Sequence, residues 1–76
     1  MSEQIRVDAI ETDGPARYAH IVSEYAERIR SLQPVRPILV SRNSKGVVRL
    51  VDGNHRLAAW KQVGAVAVEC FVFSVH

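Results

Sequence analysis

The feature that most restricts the fold is the punctuation of residues 38–64. Two β-branched runs, ILVSR (38–42) and VVRLV (47–51), are separated by Asn43-Ser44-Lys45-Gly46, and the second stops at Asp52-Gly53. The Asn-to-Gly tetrad suits a hairpin turn, because Gly46 can take a positive φ. Directly after Asp52-Gly53 come strong helix formers, NHRLAAWKQV (54–63), with Gly64 placed as the C-terminal cap. Hairpin, tight turn and helix are therefore expected in that order.

The flanks fit around this unit. IRVDAI (5–10) alternates Ile5, Val7 and Ala9 with polar neighbours and predicts a first strand. Thr12 or Asp13 can serve as an N-cap, and Pro15 suits a first helical turn. Tyr18, Val22, Tyr25, Ile29 and Leu32 then recur at helical spacing, with Ile21 widening the stripe, which predicts a helix over roughly 15–32. Pro34 and Pro37 end it. AVAVECFVFSV (65–75) reads as a closing strand.

The order β-α-β-β-α-β predicts an α+β fold, a mixed four-stranded sheet with two helices in one unit over 1–76. In the last strand Val66, Val68, Cys70 and Val72 face one way, and Ala67, Glu69, Phe71, Phe73 and Val75 the other. Two largely apolar faces imply a strand that is either central or covered by something else, a helix layer or a second copy of the chain being the two covers that fit. A chain of 76 residues buries only about 60% of its unfolded surface, so a homodimer through this strand is one expectation.

Charge is unevenly spread. Residues 1–27 carry two basic and six acidic side chains, whereas residues 28–61 carry eight basic side chains and Asp52 as the sole acid. Such a basic segment attracts phosphates, on a nucleotide or on DNA, unless it is neutralised by the acidic segment within the fold. Cys70 is the only cysteine, so no internal disulfide forms. No apolar run reaches the length of a membrane span and no signal pattern opens the chain, so a cytoplasmic, membrane-free protein is expected.

The helix start at Gly53 is the candidate site. The first turn of a helix offers unpaired N–H groups and the positive end of the macrodipole. Gly53 would let a ligand approach the backbone, Asn54 would cap or donate, and His55 and Arg56 would supply further donors. Arg28 and Arg36 would add to the phosphate environment. The plainer alternatives are an ordinary turn glycine and N-cap, with Arg56 pairing Asp52 or Asp13. His20, His55 and His76 are scattered, so no metal-ligand spacing appears. Trp60 is expected to pack on the sheet.

PVRPILV (34–40), the hairpin and LVDGNHRLAAWKQVG (50–64) together resemble the ParB/sulfiredoxin-like superfamily, in which a Gly-x-x-Arg box opens a helix. The resemblance implies a ParB/sulfiredoxin-like fold and a box that binds nucleotide phosphates: CTP in ParB proteins, ATP in sulfiredoxins, ADP or ATP in free-serine kinases. It places Gly53 as the box glycine, Asn54 at the variable second position, and His55 and Arg56 as the phosphate-facing pair. Sulfiredoxins carry their reactive cysteine where this chain has Asn54, which excludes sulfinic-acid reduction by that route. ParB proteins have a Glu-Arg pair in place of Asn54-His55, removing a carboxylate that would help hold a metal.

Three readings follow. The first is a stand-alone nucleotide- or phosphate-binding domain taking CTP or ATP, with Mg²⁺ held by Asp52, which is also the candidate catalytic base. Turnover would then be phosphoryl transfer or hydrolysis. The second is a DNA-binding or nuclease-type ParB-like protein acting through the basic 28–61 face. The third is a non-enzymatic interaction module on the same fold.

Overall fold

The computed structural model describes residues 2–75. Strand β1 (Ser2–Arg6) leads through a 3-10 turn (Val7–Ala9) to a two-residue strand, β2 (Ile10–Glu11). Helix α1 (Ala19–Arg30), β3 (Ile38–Asn43), β4 (Val48–Asp52), α2 (Asn54–Gln62) and β5 (Ala67–Val75) follow. The strands form one mixed sheet in the order β1-β5-β3-β4-β2. β3 lies at its centre, parallel to β5 and antiparallel to β4.

The sheet has five strands where four were expected, because IRVDAI is not one strand. Its alternation breaks at Val7–Ala9, and the two halves pair at opposite edges of the sheet. Arg6 forks onto Asp8 across the turn at 3.1 and 3.0 Å. Four peptide steps from Arg6 to Ile10 reach at most ~14 Å, whereas five flat strands would set the edges roughly 19 Å apart. The sheet must therefore curl. Its inner face closes on one core, in which Ile5 and Ile10 from the two edges meet Ile38, Val40, Val48, Val68, Cys70 and Leu57 of α2.

The helices stack as successive layers. α2 lies on the sheet through Leu57 and Trp60, so Trp60 packs as expected. α1 lies on α2, where Val22 and Ala26 meet Ala59; Ala26 and Ala59 are fully buried and let the two helices approach closely. α2 is thus covered on two sides. The outer face of β5 has no helix over it, and Phe71, Phe73 and Val75 stay exposed there. Of the two covers expected for that face, the helix layer is absent.

The hairpin forms as expected, with the Asn43 carboxamide oxygen accepting from the Lys45 and Val47 amides and Gly46 at φ +83°. α1 starts at Ala19, four residues later than expected, because the side chains and backbone ahead of it are engaged elsewhere. Asp13 pairs with Arg49 at 2.9 Å instead of capping the helix. Both helices end in the same motif. In α2 the Ala65 and Gly64 amides donate to the Trp60 and Lys61 carbonyls, with Gly64 left-handed, as its capping role requires. In α1 the Gln33 and Leu32 amides donate to Arg28 and Ile29, but the left-handed residue is Leu32, at φ +58° and 93% exposed. Leu32 is therefore not part of the buried stripe, since the helix ends at Arg30, two residues before it.

The acidic and basic segments neutralise each other in part: Glu3 meets Arg42 at 2.6 Å and Asp13 meets Arg49 at 2.9 Å. Arg30 adds a looser contact to Glu27 at 3.9 Å. The basic segment is consequently not one free cationic face.

Two outcomes test this description. A left-handed φ costs a non-glycine residue about 1 kcal/mol, partly offset by the larger unfolded-state entropy of glycine, so Leu32→Gly should raise the unfolding free energy by roughly 0.5–1 kcal/mol in urea titration. The Arg42 guanidinium, by hydrogen bonding first and charge second, holds the Glu3 carboxyl below its usual value of 4.5. A lowered folded-state value means a contribution present above the unfolded value and lost as pH falls through the folded one. The advantage of wild type over Glu3→Gln should therefore be constant near neutrality and disappear on acidification below that value. An advantage that persists in acid would contradict the pairing.

Candidate functional site

The β4–α2 turn is built around Gly53, the N-cap of α2, at φ +110° and ψ +31°. That left-handed conformation favours glycine on its own. A side chain there would also fall 2.8 Å from Ile38 Cγ2. Gly53 is thus required by φ and by the core, and the direction its Cβ would take is filled by Ile38, not by a ligand.

The turn aims the first amides of α2 outward. The earliest bond within the helix is from Leu57 N–H to Gly53 C=O, so the amides of Asn54, His55 and Arg56 have no intrahelical partner. No side chain caps this end, and no Asp or Glu lies in its first turn. The start of α1 has the same character: Tyr18 is the N-cap residue, with no side-chain cap bond and no acid in the first turn. Both starts border one open cavity of about 540 Å³, between the 12–18 loop and the β4–α2 turn.

Side chains of the box hold this cavity together. Asn54 Nδ2 donates to the Pro15 carbonyl at 3.4 Å. The Tyr18 amide donates to His55 Nε2 at 3.3 Å, and the two rings stack at 5.8 Å with 7° between their planes. An accepting Nε2 places the ring proton on Nδ1. Asn54 and His55 therefore fasten the 12–18 loop to the start of α2.

Arg56 turns the other way. Its guanidinium is absent from the cavity wall and, with the side chain only 12% exposed, donates to the carbonyls of Pro37 at 2.9 Å and Arg36 at 3.3 Å. Its other nitrogen reaches Asp52 at 3.3 Å. The two carbonyls lie just ahead of β3, outside the sheet ladder, and the five-donor fork satisfies them. The plainer alternative, an Arg56–Asp52 pair, is the contact observed.

The other expected residues divide. Asp52 borders the cavity with its carboxylate held by Arg56. Arg28 sits in the last turn of α1, over the Tyr25 ring at 5.4 Å, a helix length from the cavity. Arg36 lines a separate groove of about 300 Å³ beside Trp60. Neither is brought to the site.

Sequence reasoning overlooked Arg17 and Tyr18, which do line the cavity. Among the described residues Arg17 makes no ion pair. Its placement between Gly14-Pro15 and a helix start is the available signal, which a charge count over an acidic segment does not expose. Cys70 is fully buried, its Sγ directed to the Val68 carbonyl, and burial pushes its thiol up to about 11. It is no nucleophile at neutral pH. His76 lies outside the described residues. Among the described residues no three His, Cys, Asp or Glu gather as a metal site, and no helix is long and apolar enough to cross a membrane.

No protein-family model matches the chain, and no curated protein matches it. Solved structures do. Sulfiredoxin from Arabidopsis thaliana superposes with a TM-score of 0.87 at 20% identity, over 99% of this chain and 86% of that one. A C-terminally truncated chromosome-partitioning protein ParB from Caulobacter crescentus, complexed with CTP-gamma-S, gives 0.79 at 22% identity over 100% and 46%. A free serine kinase variant in complex with ADP gives 0.79 at 18% identity over 95% and 30%. The chain therefore has the ParB/sulfiredoxin-like fold, and it spans less than half of the ParB and kinase chains it matches.

The placement of Arg56 has a consequence that needs no ligand to observe. Removing the fork leaves the part-buried Pro37 carbonyl without its donor, at a cost of about 1–2 kcal/mol, while the exposed Arg36 carbonyl can turn to water. Arg56→Ala should lose that much stability in urea titration of the unliganded protein. Arg56→Lys should recover only part of it, since an ammonium lacks the fork. Unchanged stability in both would return Arg56 to a role confined to ligand.

Proposed function

We propose that the chain is a nucleotide-binding domain that holds the phosphates of a nucleoside di- or triphosphate in the cavity between the two helix starts. One observation carries this reading: both helices bring N-termini without a side-chain cap or a first-turn acid to the same cavity, with Arg17, which makes no ion pair among the described residues, on its wall. Free amides and the positive ends of two macrodipoles suit anionic oxygens, and a guanidinium adds a fork matched to phosphate. The cradle is thus made of backbone at Gly53–His55, with Arg17 as the charged side chain and Nδ1–H of His55 as a further donor.

Two structures of the same fold support it by the ligands they carry, CTP-gamma-S in a ParB and ADP in a free serine kinase. The carboxylates of Asp13 and Asp52 border the cavity. They fit a Mg²⁺ that arrives with the nucleotide, because such an ion takes one or two carboxylates and completes its shell with phosphates and water. Bound there, it would neutralise phosphate charge. The proposal is one of binding, and Asp52, held by Arg56, is assigned no proton transfer.

The test is calorimetric titration with ATP, CTP, GTP and ADP, with and without Mg²⁺. Hydrogen bonds to charged groups contribute about 1.5–3 kcal/mol, so Arg17→Ala should weaken binding at least roughly tenfold, while Arg28→Ala, remote from the cavity, should leave it unchanged. Absence of binding by all four nucleotides would overturn the reading. DNA binding with a steep salt dependence in its place would move the function to nucleic acid.

A further inference from the structure

We infer that Tyr18 is the surface on which the nucleobase stacks. The inference rests on the nucleotide reading and adds to it the residue that distinguishes a nucleotide from a bare polyphosphate.

Tyr18 lines the cavity immediately before the first turn of α1 and is 49% exposed. It is held in place: its amide bonds to His55 Nε2, His55 backs its ring nearly in parallel, and His20 stands tilted beside it at 6.1 Å. An aromatic ring ordered before the ligand arrives loses little freedom on binding, which is the condition under which stacking contributes most. Other large aromatics are committed elsewhere. Trp60 packs against the sheet core, Tyr25 lies under Arg28, and Phe71 and Phe73 stand on the outer face of the sheet. Among the described residues Tyr18 is the only Phe, Tyr or Trp on the cavity wall.

Position fits the ligand as well. Tyr18 directly precedes α1 and packs on His55 in the first turn of α2, whose free amides at Asn54 and His55 belong to the cavity wall. A single nucleotide with its phosphates on those amides has its base within the same cavity as this ring. Every base has a π-face, so the ring adds affinity for a nucleoside without choosing among bases.

The experiment compares ATP with inorganic tripolyphosphate, which carries the phosphates without the nucleoside. Wild type should bind ATP roughly tenfold more tightly than tripolyphosphate. Tyr18→Ala should bring ATP down to the tripolyphosphate level and leave tripolyphosphate itself unchanged. Tyr18→Leu, which keeps apolar bulk against His55, should show the same selective loss, and Tyr18→Phe should keep the wild-type difference. Equal binding of ATP and tripolyphosphate by wild type would overturn the inference while leaving the phosphate site standing. So would a Tyr18→Ala or Tyr18→Leu loss that falls equally on both ligands, since the ring would then serve only to hold the loop. If wild type binds neither, the nucleotide reading fails and this inference fails with it.

Discussion

The contact between Gly53 and Ile38 is the constraint on which the site depends. Ile38 is fully buried at the start of the central strand, and the last residue before α2 must pass it with no room for a side chain. Only a left-handed glycine makes that passage, and it changes strand to helix without an intervening loop. The helix start is thereby fixed to the sheet, and its amides face the 12–18 loop instead of the core. Arg56 secures the same junction from the other side by closing on the carbonyls ahead of β3. The proposed anion site, being made of backbone, would need such a mount, because amides can only be aimed by the elements that carry them.

Those two residues also show why the fold was more legible in the sequence than the site. The turn at Asn43–Gly46, the switch at Asp52-Gly53 and the cap at Gly64 are local chemistry, and each has one good structural solution. The N-terminal segment is not local. Ile5 and Ile10 belong to opposite edges of the sheet, and nothing in a short alternation reveals that its two halves pair with strands about sixty and forty residues away. The curl that brings those edges together follows from tertiary pairing, so a single strand was the natural reading. Leu32 misled for a related reason: helical spacing continues past the point where the chain has already turned toward Pro34.

At the site, residue type was legible but direction was not. Asn54, His55 and Arg56 are all at the helix start, as read, yet each spends its side chain on the protein: Asn54 on Pro15, His55 on Tyr18, Arg56 on the entry to β3. A guanidinium can face an anion or a pair of unpartnered carbonyls with equal chemical sense, and spacing alone does not separate the two. Charge counts had the same limit. Glu3 with Arg42 and Asp13 with Arg49 show that the opposed acidic and basic segments serve each other across the fold.

That division of labour bears on what the cavity can select. Since α2 is packed between the sheet and α1 and its box side chains are committed, the box can offer phosphate oxygens little beyond its amides and Nδ1 of His55. The groups free to discriminate lie on the other wall: Thr12, Arg17 and Tyr18, from a loop that carries no fully buried residue and touches the core through Ala16. Loops of this kind accept changes of residue and length at small cost to the fold. In the proposed site, substitution in 12–18 would therefore alter the ligand while Gly53, Ile38 and Arg56 keep the start of α2 in place. In the proposed site the 12–18 segment would carry recognition of the nucleoside, whereas recognition of the phosphates would be shared between its Arg17 and the backbone of the Gly-x-x-Arg box.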